Sequence, residues 1–116
     1  DLEGENWVVE ELTIDGNTTG PVAGTALTAL FDDGSVGGNA GCNSYFADYQ
    51  VDGDSITIGP AGSTLAFCAE PDGTMDQEVA YLTLLSSVDS FARDGDSMTL
   101  SSSGEVVLRY TAADVE

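Results

Sequence analysis

Short apolar segments recur along this chain about every 8–12 residues, separated by turns rich in Gly, Asp and Asn, a pattern typical of β-rich domains. Within the segments, apolar and polar side chains tend to alternate, as they do in strands with one buried face. Residues 17–25 are predicted to form a loop. The predicted strands lie at 6–14, 26–31, 45–49, 56–58, 64–68, 98–100 and 106–110.

The last of these segments shows the expected alternation most clearly. Val106, Leu108 and Tyr110 are predicted to share one face of the strand, with Val107 and Arg109 on the other. A buried face and a solvent face are therefore expected for this strand.

One segment follows the helical period instead, and a helix is predicted from about 75 to 88. Thr74 and Gln77 fit a capping box at its start, and Asp76 and Glu78 suit the positive end of the helix dipole. The apolar stripe expected to pack against the concave face of the sheet consists of Met75, Val79, Leu82 and Leu85.

The order of these elements predicts the fold class. Many strands, then one helix, then two or three more strands are typical of an α+β domain with an antiparallel sheet. A length of 116 residues indicates one domain, and a hydrophobic content of 41 % supports a buried core.

A short sequence repeat marks two of the predicted turns. The segment DGDSITI at 52–58 returns as DGDSMTL at 94–100. Asp-Gly pairs can adopt the two positive φ angles of a type I′ turn, so both copies are interpreted as hairpins. A calcium site is the alternative, although neither copy has the ligand spacing of an EF-hand loop. Its ligands would come from Asp52, Asp54, Asp94 and Asp96.

The charge of the chain excludes several classes of function. Asp and Glu total 21, Lys and Arg total 2, and His is absent, which gives a net charge of −19. Nucleic acids and anionic membrane surfaces both attract basic proteins, and this chain is strongly acidic. Without His and Lys there is no imidazole base, no His-ligated zinc and no Schiff-base chemistry. We predict no nucleic-acid partner, no direct membrane insertion, no cofactor and no metal.

The same charge also indicates a habitat. A chain without Lys but with abundant Asp and Glu is typical of salt-adapted or marine proteins, whose surface repulsion is screened at high ionic strength. An ordinary acidic secreted protein is the alternative. The chain starts at Asp1 without a signal-like segment, and we interpret it as a mature domain that has lost a targeting segment.

The most distinctive run is GGNAGCNSY at 37–45, followed by STLAFC at 63–68 and by the predicted helix. With Trp7 near the start, these motifs resemble the META domain family, also called HslJ-like, over roughly residues 6–110. The matching order is G-x-x-G-C-N, T-x-x-x-C and M-x-x-E. The matching positions are Gly38, Gly41, Cys42, Asn43, Tyr45, Thr64, Cys68, Met75 and Glu78.

The resemblance implies a curved antiparallel sheet of about seven or eight short strands, close to an open or cracked barrel, around a single helix. It also implies a bacterial envelope or secreted protein, often a lipoprotein or stress-related, with no established enzymatic activity. Residues 1–116 would form one such domain, with 1–5 and 111–116 as frayed ends or linker. An extracytoplasmic location is expected: periplasmic, secreted or lipid-anchored.

The two cysteines are expected to pair. Neither has a Lys or His to activate it as a reactive thiol, and a Cys42–Cys68 bridge would stabilise the fold by about 3–4 kcal/mol through loop closure. Such a bridge would place the protein in an oxidising compartment. Two buried free thiols, packed as small hydrophobic groups, are the alternative.

The glycines and aromatic residues admit two interpretations each. Gly37, Gly38 and Gly41 could hold an anion through their amides, but a bulge or tight crossing beside Cys42 suits them better. The aromatic residues could form a binding stack, but are predicted to belong to the core. They are Trp7, Tyr45, Phe46, Phe67 and Tyr81.

Three functions remain open at this point. The first is a non-enzymatic module that binds or scaffolds another envelope or extracellular protein, a class that includes protease inhibitors. The second is a carrier of a small apolar ligand or lipid, in a cavity between sheet and helix. The third, an enzyme using paired carboxylates, has no catalytic residue that the sequence singles out, and we predict that the domain is not an enzyme. The carrier cavity would be lined by Leu27, Phe31, Leu82 and Leu85.

Overall fold

A computed structural model describes residues 2–112 of the chain, which form ten strands and one helix. The strands of the first half are β1 (Asn6–Ile14), β2 (Asn17–Thr19), β3 (Thr28–Asp32), β4 (Ser35–Asn39) and β5 (Ser44–Asp52). Those of the second half are β6 (Ser55–Ile58), β7 (Gly62–Ser63), β8 (Ser90–Asp94), β9 (Ser97–Ser102) and β10 (Glu105–Ala112). The helix, α1 (Thr74–Ser87), lies between β7 and β8.

Eight of the strands close into an antiparallel barrel. They follow the order β10-β9-β8-β6-β5-β4-β3-β1, and pairing of β1 with β10 completes the ring. β2 extends the sheet beside β1, and β7 pairs with β5. The shortest strand pairing in the ring is that of β6 with β8, in which Ser55 pairs with Ser90. The predicted α+β class, a curved antiparallel sheet with one helix, is confirmed.

Two-residue turns join the strands of five hairpins, and residues 40–43 join those of the β4–β5 hairpin. Both turn residues have positive φ angles at 15–16, 33–34 and 103–104, the type I′ pattern. In the repeated segments only Gly53 and Gly95 are positive, which is the type II′ pattern. The repeats are hairpins as predicted, but their turn type was wrong because Asp52 and Asp94 are the last residues of their strands. Within residues 2–112, no group of three or more acidic, Cys or His side chains could hold a metal ion.

Two β-bulges interrupt the alternation expected along the strands. In β1 the register shifts between Val9 and Glu11. In β10 it shifts between Val106 and Leu108, so that Val107 and Leu108 are both buried whereas Val106 is exposed. The face predicted for Val106 and Val107 was therefore wrong, because one extra residue reverses the side-chain phase.

The helix turns a different face to the barrel from the one predicted. Leu85 is fully buried, but Met75 and Leu82 are only half-buried and Val79 is 65 % exposed. The buried face consists of Thr74, Gln77, Glu78, Tyr81 and Leu85. It faces inward because its polar side chains hydrogen-bond to groups on the barrel. Of the predicted apolar stripe, Leu85 was correct and Leu82 packs against the core only in part, whereas burial was wrong for Val79 and incomplete for Met75.

The predicted capping box is also absent. Gly73, in a left-handed conformation, occupies the N-cap position without a side-chain hydrogen bond. The Thr74 hydroxyl instead donates to the carbonyl oxygen of Pro71, and Gln77 contacts the loop before β3.

Two predicted loop and strand assignments were wrong. The predicted loop at 17–25 begins with the short strand β2, which completes a hairpin with β1. The predicted strand at 64–68 is irregular, because the hydrogen bonds of its main chain go mainly to the side chain of Asn43 rather than to a neighbouring strand.

The described parts of the chain ends that were predicted to fray, 2–5 and 111–112, pack with the barrel. Leu2 is buried, and its carbonyl oxygen accepts a hydrogen bond of 3.1 Å from Nε1 of Trp7. At the other end, Thr111 and Ala112 pair with β1. The prediction was therefore wrong for 2–5 and 111–112, and its remainder, residues 1 and 113–116, lies outside the described residues.

Large apolar side chains from the strands and the helix fill the barrel. Among the predicted core aromatics, Trp7, Tyr45 and Tyr81 are buried, whereas Phe46 and Phe67 are 68 % and 78 % exposed. Phe46 lies on the outer face of β5, where its ring covers Gly62. Across residues 2–112, no helix has the length and apolar character needed to cross a membrane.

Candidate functional site

A buried carboxylate organises the turn between β4 and β5. Oε1 of Glu78 accepts hydrogen bonds from the backbone N–H groups of Cys42 (3.1 Å) and Asn43 (2.7 Å). Oε2 accepts a third bond, of 2.7 Å, from Nδ2 of Asn43. Glu78 is only 5 % exposed, and these three donors compensate for the loss of water around its charge.

Asn43 connects this turn by hydrogen bonds to the segment between β7 and the helix. Its Oδ1 accepts hydrogen bonds from the Thr64 hydroxyl (2.8 Å) and the Ala66 N–H (2.7 Å). Its Nδ2 also donates to the Ala66 carbonyl oxygen, at 3.0 Å. The side chain of Asn43 therefore holds both main-chain polar groups of Ala66, as a neighbouring strand would.

A disulfide joins the same two segments covalently. Cys42 and Cys68 are bonded, with Cα atoms 5.9 Å apart, which confirms the predicted bridge. Because Cys42 and Asn43 are adjacent, residues 64–68 are attached to one turn by a covalent bond and by a set of hydrogen bonds. We call residues 64–68 the braced loop.

The braced loop turns its large side chains outward. Leu65 is 95 % exposed and Phe67 is 78 % exposed, since the intervening Ala66 directs its main-chain groups inward to Asn43. A cleft of about 180 Å³ lies beside Phe67, and Met75, Asp72 and Asp76 contribute to its walls. Single exposed apolar side chains are common on protein surfaces, and these two are informative because they lie two residues apart on one segment.

The glycines around this turn serve close packing. A Cβ atom at Gly38 would collide with the Thr28 carbonyl oxygen, so only glycine fits this crossing. Gly41 has a φ of 112° and donates its N–H to Oδ1 of Asn39. The Gly41 amide, which could have contributed to an external anion site, is bonded to Asn39, and the next two amides, of Cys42 and Asn43, bind the carboxylate of Glu78.

A family model of the META domain matches residues 1–114. The chain belongs to the META domain family.

Solved structures support this assignment at the level of the fold. An NMR structure of a protein from Burkholderia xenovorans is similar with a TM-score of 0.80 and 25 % identity, covering 98 % of this chain and 85 % of that one. A second NMR structure has a TM-score of 0.70 and 19 % identity, covering 97 % of this chain and 92 % of that one. None of the curated proteins matches.

Inside the barrel of this META domain, three tyrosine hydroxyls meet. The hydroxyl oxygen of Tyr81 lies 3.0 Å from that of Tyr45 and 2.9 Å from that of Tyr110. The Tyr45 hydroxyl donates to the Thr28 carbonyl oxygen at 2.6 Å. Burial raises the pKa of each of these hydroxyls well above its ordinary value, so the cluster stays protonated and bonds helix to barrel.

The cavity predicted between sheet and helix is not present at its expected lining. Leu27, Phe31 and Leu85 each have 0 % exposed surface, and a void large enough for water beside them would give them accessible area. The fourth predicted residue, Leu82, is half-buried and lies at an outer cleft with Val79 and Pro60. The carrier prediction was therefore wrong in the site it named.

Apart from one cluster and Gly41 beside it, the motif residues lie in three places in the META domain. Gly38 lies at a strand crossing, Tyr45 lies in the interior, and Met75 lies beside the cleft at Phe67. The residues that the structure brings together are Cys42, Asn43, Thr64, Cys68 and Glu78.

The exposure of Leu65 and Phe67, which this group of residues fixes in place, was not predicted from the sequence. Leu65 and Phe67 were assigned to a strand and, for Phe67, to the core. The signal that was available is the spacing of Thr74, Gln77, Glu78 and Tyr81, which is itself helical and polar. A polar stripe next to a polar turn indicates a hydrogen-bonded interface, and it would have reversed the predicted orientation of the helix.

Proposed function

We propose that this META domain acts outside the cytoplasm as a non-enzymatic, protein-binding module, and that the braced loop is its binding surface. Support for the location comes from the family and from the disulfide, because disulfides persist in oxidising compartments. The proposal includes three more specific possibilities: a salt-adapted protein, a secreted protein and a lipid-anchored protein.

The observation that carries the binding role is the exposure of Leu65 and Phe67 on a fixed main chain. An apolar side chain in water gains free energy when a partner covers it, at roughly 25 cal/mol per Å² of apolar surface. Ordering a mobile loop would consume part of that gain. Here Asn43 and the disulfide hold the loop in place before any partner arrives.

The charges around the loop indicate the chemistry of the partner. Asp72 and Asp76 border the cleft beside Phe67, and Glu70 follows the disulfide closely in sequence. A second copy of this chain would bring its own charge of −19 and be repelled. A protein with an apolar pocket inside a basic rim is complementary both to the two side chains and to the acids around them.

A pair of variants tests this role. Leu65→Ser combined with Phe67→Ser removes the apolar contacts, and Val51→Ser is the matched control on β5, where Val51 is 44 % exposed. Immobilised wild type and control should retain the same protein from the source organism's extracytoplasmic fraction, and the loop variant should lose it. Equal retention by all three proteins, or none by wild type, would contradict the proposal.

A further inference from the structure

The braced loop has the properties of a peptide that can occupy a protease active site and remain bound. Its most exposed side chain, Leu65, directly precedes the residue whose N–H and C=O are both held by Asn43. The disulfide of Cys68 follows two residues later. We propose, resting on the binding role above, that this loop inhibits endopeptidases whose primary specificity pocket accepts a large apolar side chain, with Leu65 entering that pocket.

The shape of the loop suits a substrate-binding cleft. Residues 64 to 70 include no strand residue and no hydrogen-bonded turn, and none of them has a positive φ angle, so the loop is neither a tight turn nor part of the sheet. Proteases bind the main chain of a substrate on both sides of the scissile bond and place one side chain in the primary pocket. Leu65 offers nearly its whole side chain for that pocket, and Phe67 lies two residues beyond it.

Contacts that hold the loop on both sides of the Leu65–Ala66 bond explain why it would inhibit a protease rather than be degraded by it. Hydrolysis adds one water molecule, leaving a carboxyl group on Leu65 and an amino group on Ala66. Thr64 stays attached upstream, through its N–H to the Ser44 carbonyl oxygen at 3.1 Å and its hydroxyl to Asn43. Downstream, Asn43 holds Ala66 and the disulfide holds Cys68.

These anchors keep the two new ends together after cleavage. The amino group therefore stays beside the acyl carbon, and the reverse step, which re-forms the peptide bond and releases the same water molecule, competes with release. Because the loop is ordered before binding, little conformational entropy is lost in the complex. A flexible apolar peptide has neither property and is an ordinary substrate.

A change of specificity at Leu65 is the sharpest test. The wild-type domain is assayed against chymotrypsin-like and subtilisin-like enzymes with apolar primary pockets, and against a trypsin-like enzyme whose pocket carries a carboxylate. Leu65→Lys should weaken inhibition of the first group and create inhibition of the second, each by about 100-fold, the scale of one well-seated anchor side chain. Val51→Lys, an exposed control away from the loop, should behave as wild type.

A second variant tests the anchoring. Thr64→Val keeps the shape of the side chain but removes the hydroxyl that donates to Asn43. The Leu65–Ala66 bond of this variant should be cleaved faster than that of wild type, as followed by mass spectrometry of the reduced chain. Leu65 and Thr64 are exposed, so both variants should fold.

Several outcomes would overturn the proposal. One is no inhibition by wild type of any apolar-pocket enzyme at about 100 µM, the weak end of specific binding. Another is Leu65→Lys failing to inhibit the trypsin-like enzyme, and a third is rapid cleavage of wild type at the loop. If the capture experiment still depends on Leu65 and Phe67 in those cases, the loop binds a protein of another class and the proposed function stands. If capture also fails, both proposals are wrong.

Discussion

The hairpins and the braced loop hold their chain segments in opposite ways. A hairpin such as β3–β4 is directed by two adjacent turn residues, Asp33 and Gly34, whose positive φ angles are a local property. The braced loop has no such signal and is held by Asn43, which lies 23 residues before Ala66 and is itself bound by Glu78. Local turn chemistry therefore builds the barrel, whereas buried polar contacts between distant residues build the candidate site.

The largest effect is expected from removing the carboxylate that organises the site. Glu78→Ala would leave three N–H donors of Cys42 and Asn43, two of them buried, without this acceptor, at a cost of about 3–5 kcal/mol in the free energy of unfolding. Urea unfolding measures this directly. The control is Asp76→Ala, an exposed acid on the same helix, which should cost less than about 1 kcal/mol. Similar losses in the two variants would show that the network does not stabilise the fold.

Loss of the disulfide should affect the braced loop more strongly than the hairpins. Replacing Cys42 and Cys68 with Ser should reduce the free energy of unfolding by about 3–4 kcal/mol, the loop-closure value for a sequence separation of 26. Amide hydrogen exchange should accelerate most within residues 64–68, and the hairpin strands should retain their ranking of protection. Uniform acceleration across the barrel would contradict the distinction drawn between the regions.

The face of the helix can be tested with two leucines. Leu85→Ala should cost about 3 kcal/mol because Leu85 is fully buried, and Leu82→Ala should cost less than half of that because Leu82 is only half-buried. Thermal or urea unfolding of both variants supplies the comparison. Equal losses of stability in the two variants would indicate that the predicted apolar stripe, and not the polar face, packs against the barrel.

A single hairpin glycine should have a smaller effect. Gly34 has a φ of 83° with open space around it, so Gly34→Ala should cost about 1 kcal/mol through backbone strain alone. Gly59→Ala is the matched control, because Gly59 lacks a positive φ and an added Cβ would make only an ordinary contact of 3.7 Å. A cost at Gly59 as large as that at Gly34 would contradict the local account of the hairpin.

Salt should have a small effect on the melting temperature, because it screens charges that are spread along the whole chain. The melting temperature should rise by a few degrees between about 0.01 M and 1 M of NaCl or KCl alike, since the net charge of −19 is screened by either. At fixed high ionic strength, calcium or a chelator should change little. A sharp rise with millimolar calcium would indicate a specific site and would contradict the prediction that the chain binds no metal.

The same comparison explains how much could be predicted from the sequence. The hairpins of the two repeated segments were predicted because their turn residues lie next to one another in the chain, whereas β4 and β8 were not among the predicted strands. The disulfide was predicted from the isolation of its two cysteines. The bulges in β1 and β10 were missed because a one-residue insertion leaves the apolar composition unchanged.

The site itself was the hardest part to predict. The helix was placed correctly but turned the wrong way, since apolar periodicity alone assumes that polar side chains face water. Gln77 and Glu78 face inward only because Val22, Cys42 and Asn43 supply their partners, more than 30 residues away. The exposure of Phe67 follows from the same contacts, and a strand pattern cannot reveal it.

The most direct test of the central claim is hydrogen exchange at the amide of Ala66, which lies in an exposed loop outside any strand. The account predicts protection of at least about 100-fold relative to an unstructured peptide, because its N–H is bonded to Oδ1 of Asn43 at 2.7 Å. Native-state NMR resolves this amide beside those of the hairpin strands. Exchange of Ala66 at the free-peptide rate, with the strands still protected, would show that the loop is not held and would contradict the account.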